Sequence, residues 1–346
     1  MKVFFSERQR AHYPENFLVS GAKKPNPEVP ERIDRLLGGI EAGGHALREA
    51  VDHGAAPLAA VHTPEYLQFL EHGFVRWQRI EGASPEIVPN IHPNRRDFSY
   101  PKSVVGQAGY HLADTACPIS ADTWDSARWS ANTAVSAAQA VLEGDSAAYA
   151  LCRPPGHHAF ADLAGGFCYL NNSGIAAQQL RARYDRVAIL DVDLHHGNGT
   201  QGMFYDRADV LTVSIHADPV RFYPFFWGYA SERGEGSGLG YNTNFPIPRG
   251  TADEAYMPVL EKALTRIRSY RPGALVVALG LDASQDDPFG GLAISTEGFA
   301  AIGKAIGALG LPSVLVQEGG YVCDSLGANL TASLGGFSET HAQSAG

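Results

Sequence analysis

Six short, nearly unbroken apolar runs punctuate the chain, at 3–5, 147–151, 187–190, 210–215, 274–279 and 313–316. Runs of that length without polar alternation predict strands covered on both faces. Longer amphipathic stretches separate them and predict helices at about 30–42, 64–80, 124–143, 172–184, 252–270, 296–309 and 325–335. A polar N-cap near Thr123 and the Thr-Glu-Gly opening at Thr296 mark two helix starts. Strands alternating with helices imply the α/β class, a parallel sheet with helices on both faces. With no internal repeat or low-complexity linker, a single domain over 1–346 is expected.

One segment has no period. "EGASPEIVPNIHPNRRDFSYPKS", 81–103, holds four prolines and the apolar residues Ile87, Ile91, Phe98 and Tyr100, and Trp77 and Ile80 precede it. An irregular stretch of this length inside a compact domain is expected to act as a lid, a binding loop or an oligomer interface, since its apolar side chains need cover, with a surface Ω-loop packed on itself as the alternative.

Composition narrows the function. Of 346 residues, 45% are hydrophobic and 18% charged, the balance of a compact enzyme. A formal net charge of -10 argues against a nucleic-acid partner, which needs clustered Lys and Arg. Cys117, Cys152, Cys168 and Cys323 are widely spaced, with no CxxC pair, so neither a disulfide framework nor a thiolate metal site is expected. The longest apolar run, "ALVVALGL" at 274–281, is far short of a membrane span. A cytoplasmic protein without a membrane partner is the expectation.

Polar residues gather where the apolar runs stop. "ILDVDLHHGNGT" (189–200) places Asp191, Asp193, His195, His196 and Asn198 after one strand, and "RPPGHH" places His157 and His158 after another. "ALVVALGL" runs into Asp282, and "SVLVQ" into Glu318-Gly319-Gly320-Tyr321. A lone Asp after a strand is usually a turn former or helix cap. Four such clusters at equivalent strand ends point instead to the rim where open α/β sheets bind ligands. Asp193, His195 and Asp282 supply two carboxylates and an imidazole, a three-ligand set suited to a catalytic Zn²⁺, with Fe²⁺ or Co²⁺ also acceptable. Such a cation activates water and polarises a carbonyl, which makes hydrolysis of an amide or ester the expected reaction. His157 and His158 are placed to serve the water and the leaving amine, and the Tyr321 hydroxyl to donate to the developing oxyanion.

Together "RPPGHH" (153–158), "GGFCYLNN" (165–172), "LDVDLHHGNGT" (190–200), "GLDAS" (280–284) and "EGGY" (318–321) resemble the zinc-dependent histone deacetylase superfamily, in the bacterial branch with the acetylpolyamine amidohydrolases. The resemblance covers nearly the whole chain. It implies the arginase-deacetylase fold, a central parallel sheet of about eight strands, and hydrolysis of an acetylated amine such as an acetylpolyamine, acetyl-lysine or a related small amide. It also implies Asp193, His195 and Asp282 as zinc ligands, His157 and His158 as the tandem histidines, and Tyr321 as the transition-state donor. Phe167 and Tyr223 match the aromatic walls of the acyl-lysine tunnel, and the Gly166 carbonyl matches the acceptor for the substrate amide. Asp191 matches the carboxylate that orients the first histidine and, with Ser214, ligands of a structural potassium ion. A homodimer paired through 81–103 is implied as well.

Two positions depart from the pattern. The position that matches the partner of the second histidine is Asn198, an Asp in many histone deacetylases but an Asn in the amidohydrolase branch, which implies His158 as the neutral base and later general acid, and His157 as the fixed positive charge. Where polyamine-specific relatives place acids to greet distal ammonium groups, Glu15 is offset and Val105 is apolar. Two alternative readings fit the residues less well. A binuclear manganese ureohydrolase of the arginase type requires a bridging acid where Ser284 stands. A non-catalytic acyl-ligand binding module would be expected to lack a tandem histidine or Tyr321. "RGEGSGLG" at 233–240 follows no strand and reads as a loop rather than a phosphate cradle.

Overall fold

A computed structural model describes residues 1–97 and 99–344. Its strands are β1 (Lys2–Phe5), β2 (Asn16–Val19), β3 (Ala22–Pro25), β4 (Ala46–Glu49), β5 (Ala147–Ala150), β6 (Val187–Asp191), β7 (Val210–Ala217), β8 (Asn242–Ile247), β9 (Ala274–Leu279) and β10 (Ser313–Gln317). Eight of them form one sheet in the order β4-β1-β5-β10-β9-β6-β7-β8, every pair parallel, while β2 and β3 make a separate antiparallel hairpin.

The six apolar runs are six of these strands, and burial explains why they were visible. Every residue of β5, β6, β7, β9 and β10 is buried, so each must be apolar wherever no specific bond is made. Alternate side chains feed opposite layers. Ala188, Leu190, Leu275 and Val277 join one core, and Val187, Ile189, Ala274 and Val276 the other. The two edge strands escaped detection because they lack that two-sided cover: β4 is exposed throughout, and β8 reads Asn-Thr-Asn-Phe-Pro-Ile.

The seven expected helices lie at Glu31–Ala42, Pro64–Trp77, Thr123–Leu142, Asn172–Leu180, Asp253–Tyr270, Thr296–Gly307 and Leu326–Ser344. At the Thr123 start the expected side-chain cap is not made. The Thr123 hydroxyl instead accepts the Ser120 N–H at 2.9 Å. At the Thr296 start the preceding residue does the work, Ser295 Oγ accepting the Gly298 N–H at 3.0 Å. Helices at Ala56–Ala59, Val104–His111 and Asn198–Phe204 were not anticipated, being too short to show a period.

The 81–103 segment is irregular as expected, but much of its apolar surface is covered by its own chain. Ile87 is fully buried and pairs with Ile119, and Trp77 is buried with its indole N–H on the Ser84 carbonyl at 3.1 Å. Tyr100 bonds His111 Nε2 at 2.8 Å. Phe98 lies outside the described residues. Ile91, at 60% exposed, and Ile80 remain open to solvent.

Candidate active site

The carboxyl ends of β5, β6, β9 and β10 share one edge of the sheet, and the chain turns sharply as each strand stops. β6 ends at Asp191, whose Oδ1 accepts the Asp193 N–H at 3.1 Å. Asp193 Oδ1 in turn accepts the His195 N–H at 2.8 Å. These carboxylate-closed turns carry the chain away from the strand. Asp191 therefore faces the tandem histidines, while Asp193 and His195 enter a cavity of about 300 Å³.

Asp282, just past β9, meets them there. His195 Nδ1 lies 3.0 Å from Asp282 Oδ2 and 3.4 Å from Asp193 Oδ1, and one donor atom from each of the three residues falls within 4.8 Å of the others. The remaining carboxylate oxygens are fixed by the backbone, Asp282 Oδ1 by Leu194 N–H at 3.0 Å and Asp193 Oδ2 by Gly319 N–H at 2.8 Å. Both aspartates are fully buried. Burial disfavours a charged imidazole, yet these carboxylates raise His195 to about 9, so the pocket calls for positive charge. One nitrogen and two oxygens converging in such a place fit a divalent cation.

His157 and His158 sit side by side, ring centroids 4.0 Å apart, with unlike partners. His157 Nδ1 bonds Asp191 Oδ2 at 2.9 Å, and His158 Nδ1 bonds Asn198 Oδ1 at 2.7 Å. Burial pushes both rings toward neutrality. At His157 the Asp193 and Asp191 carboxylates overturn this and hold it well above the usual range. At His158 the neighbouring His157 and His195 add to the burial, and it falls well below. The two imidazoles are pushed in opposite directions, and only His157 has a carboxylate as its Nδ1 partner.

Aromatic rings wall the cavity. Phe167 and Tyr321 lie 5.9 Å apart, Phe289 is 4.7 Å from Tyr321, and Phe17 of β2 closes on Phe167 at 5.4 Å. Tyr223 stands edge-on to His158 at 4.9 Å, its hydroxyl donating to Asp114 Oδ2 at 2.7 Å; the same oxygen accepts the Gly166 N–H at 3.1 Å. Gly166 and Phe167 are both left-handed, at φ +52° and +68°, and the turn brings Phe167 to the wall. Ser214 lies apart from this cavity, paired in register with Asp191 on β7 beside β6.

Several contributors were not read from the sequence. Phe17, Asp114 and Arg32, whose guanidinium lies 4.9 Å over the Tyr321 ring, stand in no motif. Phe289 follows Asp282 by only seven positions, and "DPFGG" carried a signal in its aromatic residue. The Asp282–Asp287 stretch gathers no second metal set. Ser284 Oγ accepts from Asn329 Nδ2 at 3.1 Å, and Asp287 Oδ2 is turned to the Tyr321 N–H at 2.9 Å. A ureohydrolase of two metals is not favoured.

Comparison with known proteins agrees with this geometry. The histone deacetylase domain pattern matches residues 26–337. The chain belongs to the histone deacetylase family. It is similar to the acetylpolyamine amidohydrolase of Burkholderia pseudomallei, 49% identical over 338 residues, covering 97% of this chain and 98% of that one. It also resembles acetylpolyamine amidohydrolase 1 of Pseudomonas aeruginosa, 42% identical over 344 residues, with 97% and 99% coverage. The crystal structure of the acetylpolyamine aminohydrolase from Burkholderia pseudomallei superposes with a TM-score of 0.96, covering 98% of this chain and 99% of that one. Membership of the histone deacetylase family makes the chain a deacetylase, a hydrolase of amide bonds.

Within this family site, Gly319 leaves no room for a side chain. A Cβ there would overlap Asp282 Oδ2 and come within 2.6 Å of Asp193 Oδ2. Gly319→Ala is expected to fold, with unchanged circular dichroism, but to hold substoichiometric metal by elemental analysis. A variant with a full metal complement would show that the two carboxylates have slack.

Proposed function

We propose that this deacetylase removes acetyl or other small acyl groups from small acylated amines, a class including acetylpolyamines and acetyl-lysine. The observation that carries the reading is the convergence of Asp193, His195, Asp282, the tandem histidines and Tyr321 on one aromatic cavity. The relatives named as acetylpolyamine amidohydrolases support the substrate class.

Asp193, His195 and Asp282 would hold a Zn²⁺, with Fe²⁺ or Co²⁺ suited to the same donors. Such an ion supplies an activated water and polarises the substrate carbonyl. The protein's own groups do the rest. The walls of Phe167 and Tyr223 bind the extended chain, and the Gly166 carbonyl accepts the amide N–H. His158 takes a proton at Nε2 and returns it to the leaving amine, its ring set by Asn198. His157 stays charged through Asp191, which keeps that role when Asp193 is engaged by a cation. The Tyr321 hydroxyl donates to the oxygen that gains charge.

A potassium ion beside Asp191 and Ser214 belongs to the same proposal. The two residues line a space of about 10 Å³. His216 Nε2 is 2.8 Å from the Gly228 carbonyl and so carries the proton; its Nδ1 then accepts the Ser214 hydroxyl at 2.7 Å. This leaves the serine oxygen's lone pairs free to face a cation. No described helix is long and apolar enough to cross a membrane, and the cysteines are unpaired, which suits the cytoplasmic location we propose.

The direct test is turnover of a panel of acetylated polyamines, acetyl-lysine peptides and small acyl amides, run beside metal analysis. Metal-dependent release of acetate from at least one class is expected, and inactivity of the metal-loaded protein on all would sink the reading. In the same assay Tyr321→Phe should keep its metal and KM while kcat falls about 10²–10³-fold, the usual effect of losing one oxyanion donor.

The charge assignment predicts distinct pH profiles. A base must be unprotonated to act, so activity rises with pH through its pKa and forms the acidic limb. His158→Ala should lose that limb, and His157→Ala should keep it at reduced rate. The opposite pattern reverses the two roles.

We further propose that the 81–103 segment pairs two copies of the chain and narrows the tunnel mouth. Deleting the segment is the wrong test, because it would remove buried Ile87 and the Ser84 partner of Trp77. Exposed Ile91 is the better probe. Sedimentation should find a dimer for the parent protein and a monomer for Ile91→Glu, and a monomeric parent would end the idea.

A further inference from the structure

Glu318 is a wholly buried carboxylate for which the chemistry above has no use. It follows β10, is 0% exposed, and burial pushes it up to about 7, the sign of a charge kept from water at a cost. Three donors converge on it. Its Oε2 accepts the backbone N–H groups of Gly156, at 2.6 Å, and of His157, at 3.0 Å, and its Oε1 accepts the Ser173 hydroxyl at 2.7 Å.

A second cation site is the first alternative, since donor atoms of His157, Cys168 and Glu318 also lie within 4.8 Å of one another. The bonds argue against it. The carboxylate oxygens already face three positive donor ends, which occupy the directions from which a cation would approach. His157 Nδ1 is engaged by Asp191, and burial pushes the Cys168 thiol well up, away from thiolate. What remains is a buried carboxyl gripping the backbone immediately before and at the first tandem histidine.

We propose that Glu318 is a positioning residue that sets the tandem histidines by clasping the backbone of their loop. His157 and His158 meet Asp191 and Asn198 from a loop without regular structure, so their placement depends on where its backbone is held. Glu318 is itself pinned. Its N–H donates to the Leu279 carbonyl at 3.0 Å, and its carbonyl accepts Arg32 Nη2 at 2.7 Å. The next residue, Gly319, donates to Asp193. One segment thus references the histidine loop and the metal-facing carboxylate to the end of the same strand. Misplacing a catalytic group by about 1 Å can cost on the order of 10²-fold in rate, which gives such a clasp its value.

The inference rests on the deacetylase reading, and two conservative variants test it. Glu318→Gln keeps the reach and loses the charge; its carboxamide oxygen can accept both N–H groups while its amino group donates to Ser173 Oγ. Glu318→Asp keeps the charge and loses the reach. If positioning is the role, Gln should stay within about 5-fold of the parent kcat and Asp should fall about 30–100-fold, with KM and metal content unchanged in both. Amide hydrogen exchange at Gly156 and His157 reports the same ordering without turnover: protected in the parent and in Gln, and faster in Asp. An Asp variant as active and as protected as Gln, or more so, overturns the proposal, as does a loss that follows metal content. A parent inactive on every acylated amine would refute the deacetylase reading instead, and the exchange ordering would still decide the role of Glu318.

Discussion

Two carboxylates, Asp193 and Asp282, are held fully buried within reach of each other, and the rest of the site is arranged around that electrostatic problem. Like charges in a place without water repel strongly, and each needs compensation. The protein supplies part of it with backbone N–H groups from Leu194 and Gly319 and part with His195. The remainder is a demand for a cation. A site built this way selects its ligand by charge before geometry, and the aromatic walls add the shape.

The same logic extends outward through a second set of buried charges. Glu28 is wholly buried between two arginines, Arg32 Nη1 at 2.6 Å and Arg153 Nε at 2.9 Å. Arg32 donates onward to the carbonyls of Glu318 and Gly320 and lies over the Tyr321 ring at 4.9 Å. Arg153, which opens the "RPPGHH" loop, donates to the carbonyls of Gln9, His12 and Glu28. Replacing such a triad by apolar residues is often neutral or favourable for stability. Its value here is directional, since guanidinium forks fix carbonyl positions that apolar packing would leave loose. The N-terminal segment is thereby tied to the loops that carry the tandem histidines and Tyr321.

The hairpin of β2 and β3 and the 81–103 segment lie outside this rigid frame and differ from it in chemistry. The hairpin brings Phe17, Leu18 and Val19 to the cavity mouth, and Lys23 and Lys24 pair with Leu18 and Phe17 across it. Glu15 is exposed there, with its N–H on Glu86 Oε1 at 3.0 Å, while Val105 packs in the cluster around Tyr66 and Phe69. The mouth is therefore more apolar than a polycation would require, whereas the floor is set by charge alone.

The sequence by itself determined the buried strands and the chemistry at their ends. Strands covered on both faces must be apolar, and polar residues that interrupt such runs must have partners, so β5, β6, β9, β10 and the cluster of Asp193, His195 and Asp282 were legible as composition along the chain. Asp191 and Asn198 were legible through the motifs they share with a known family. Tertiary structure alone decided the rest. Edge strands β4 and β8 need no apolar pattern, because one side of each is open or polar. Ile87 and Trp77 were apolar residues without a visible partner until the chain folded back over them. Arg32, Asp114 and Glu318 act on residues more than fifty positions away. Hydrogen-bond partners at that separation leave no local periodicity, so only the folded chain brings them together.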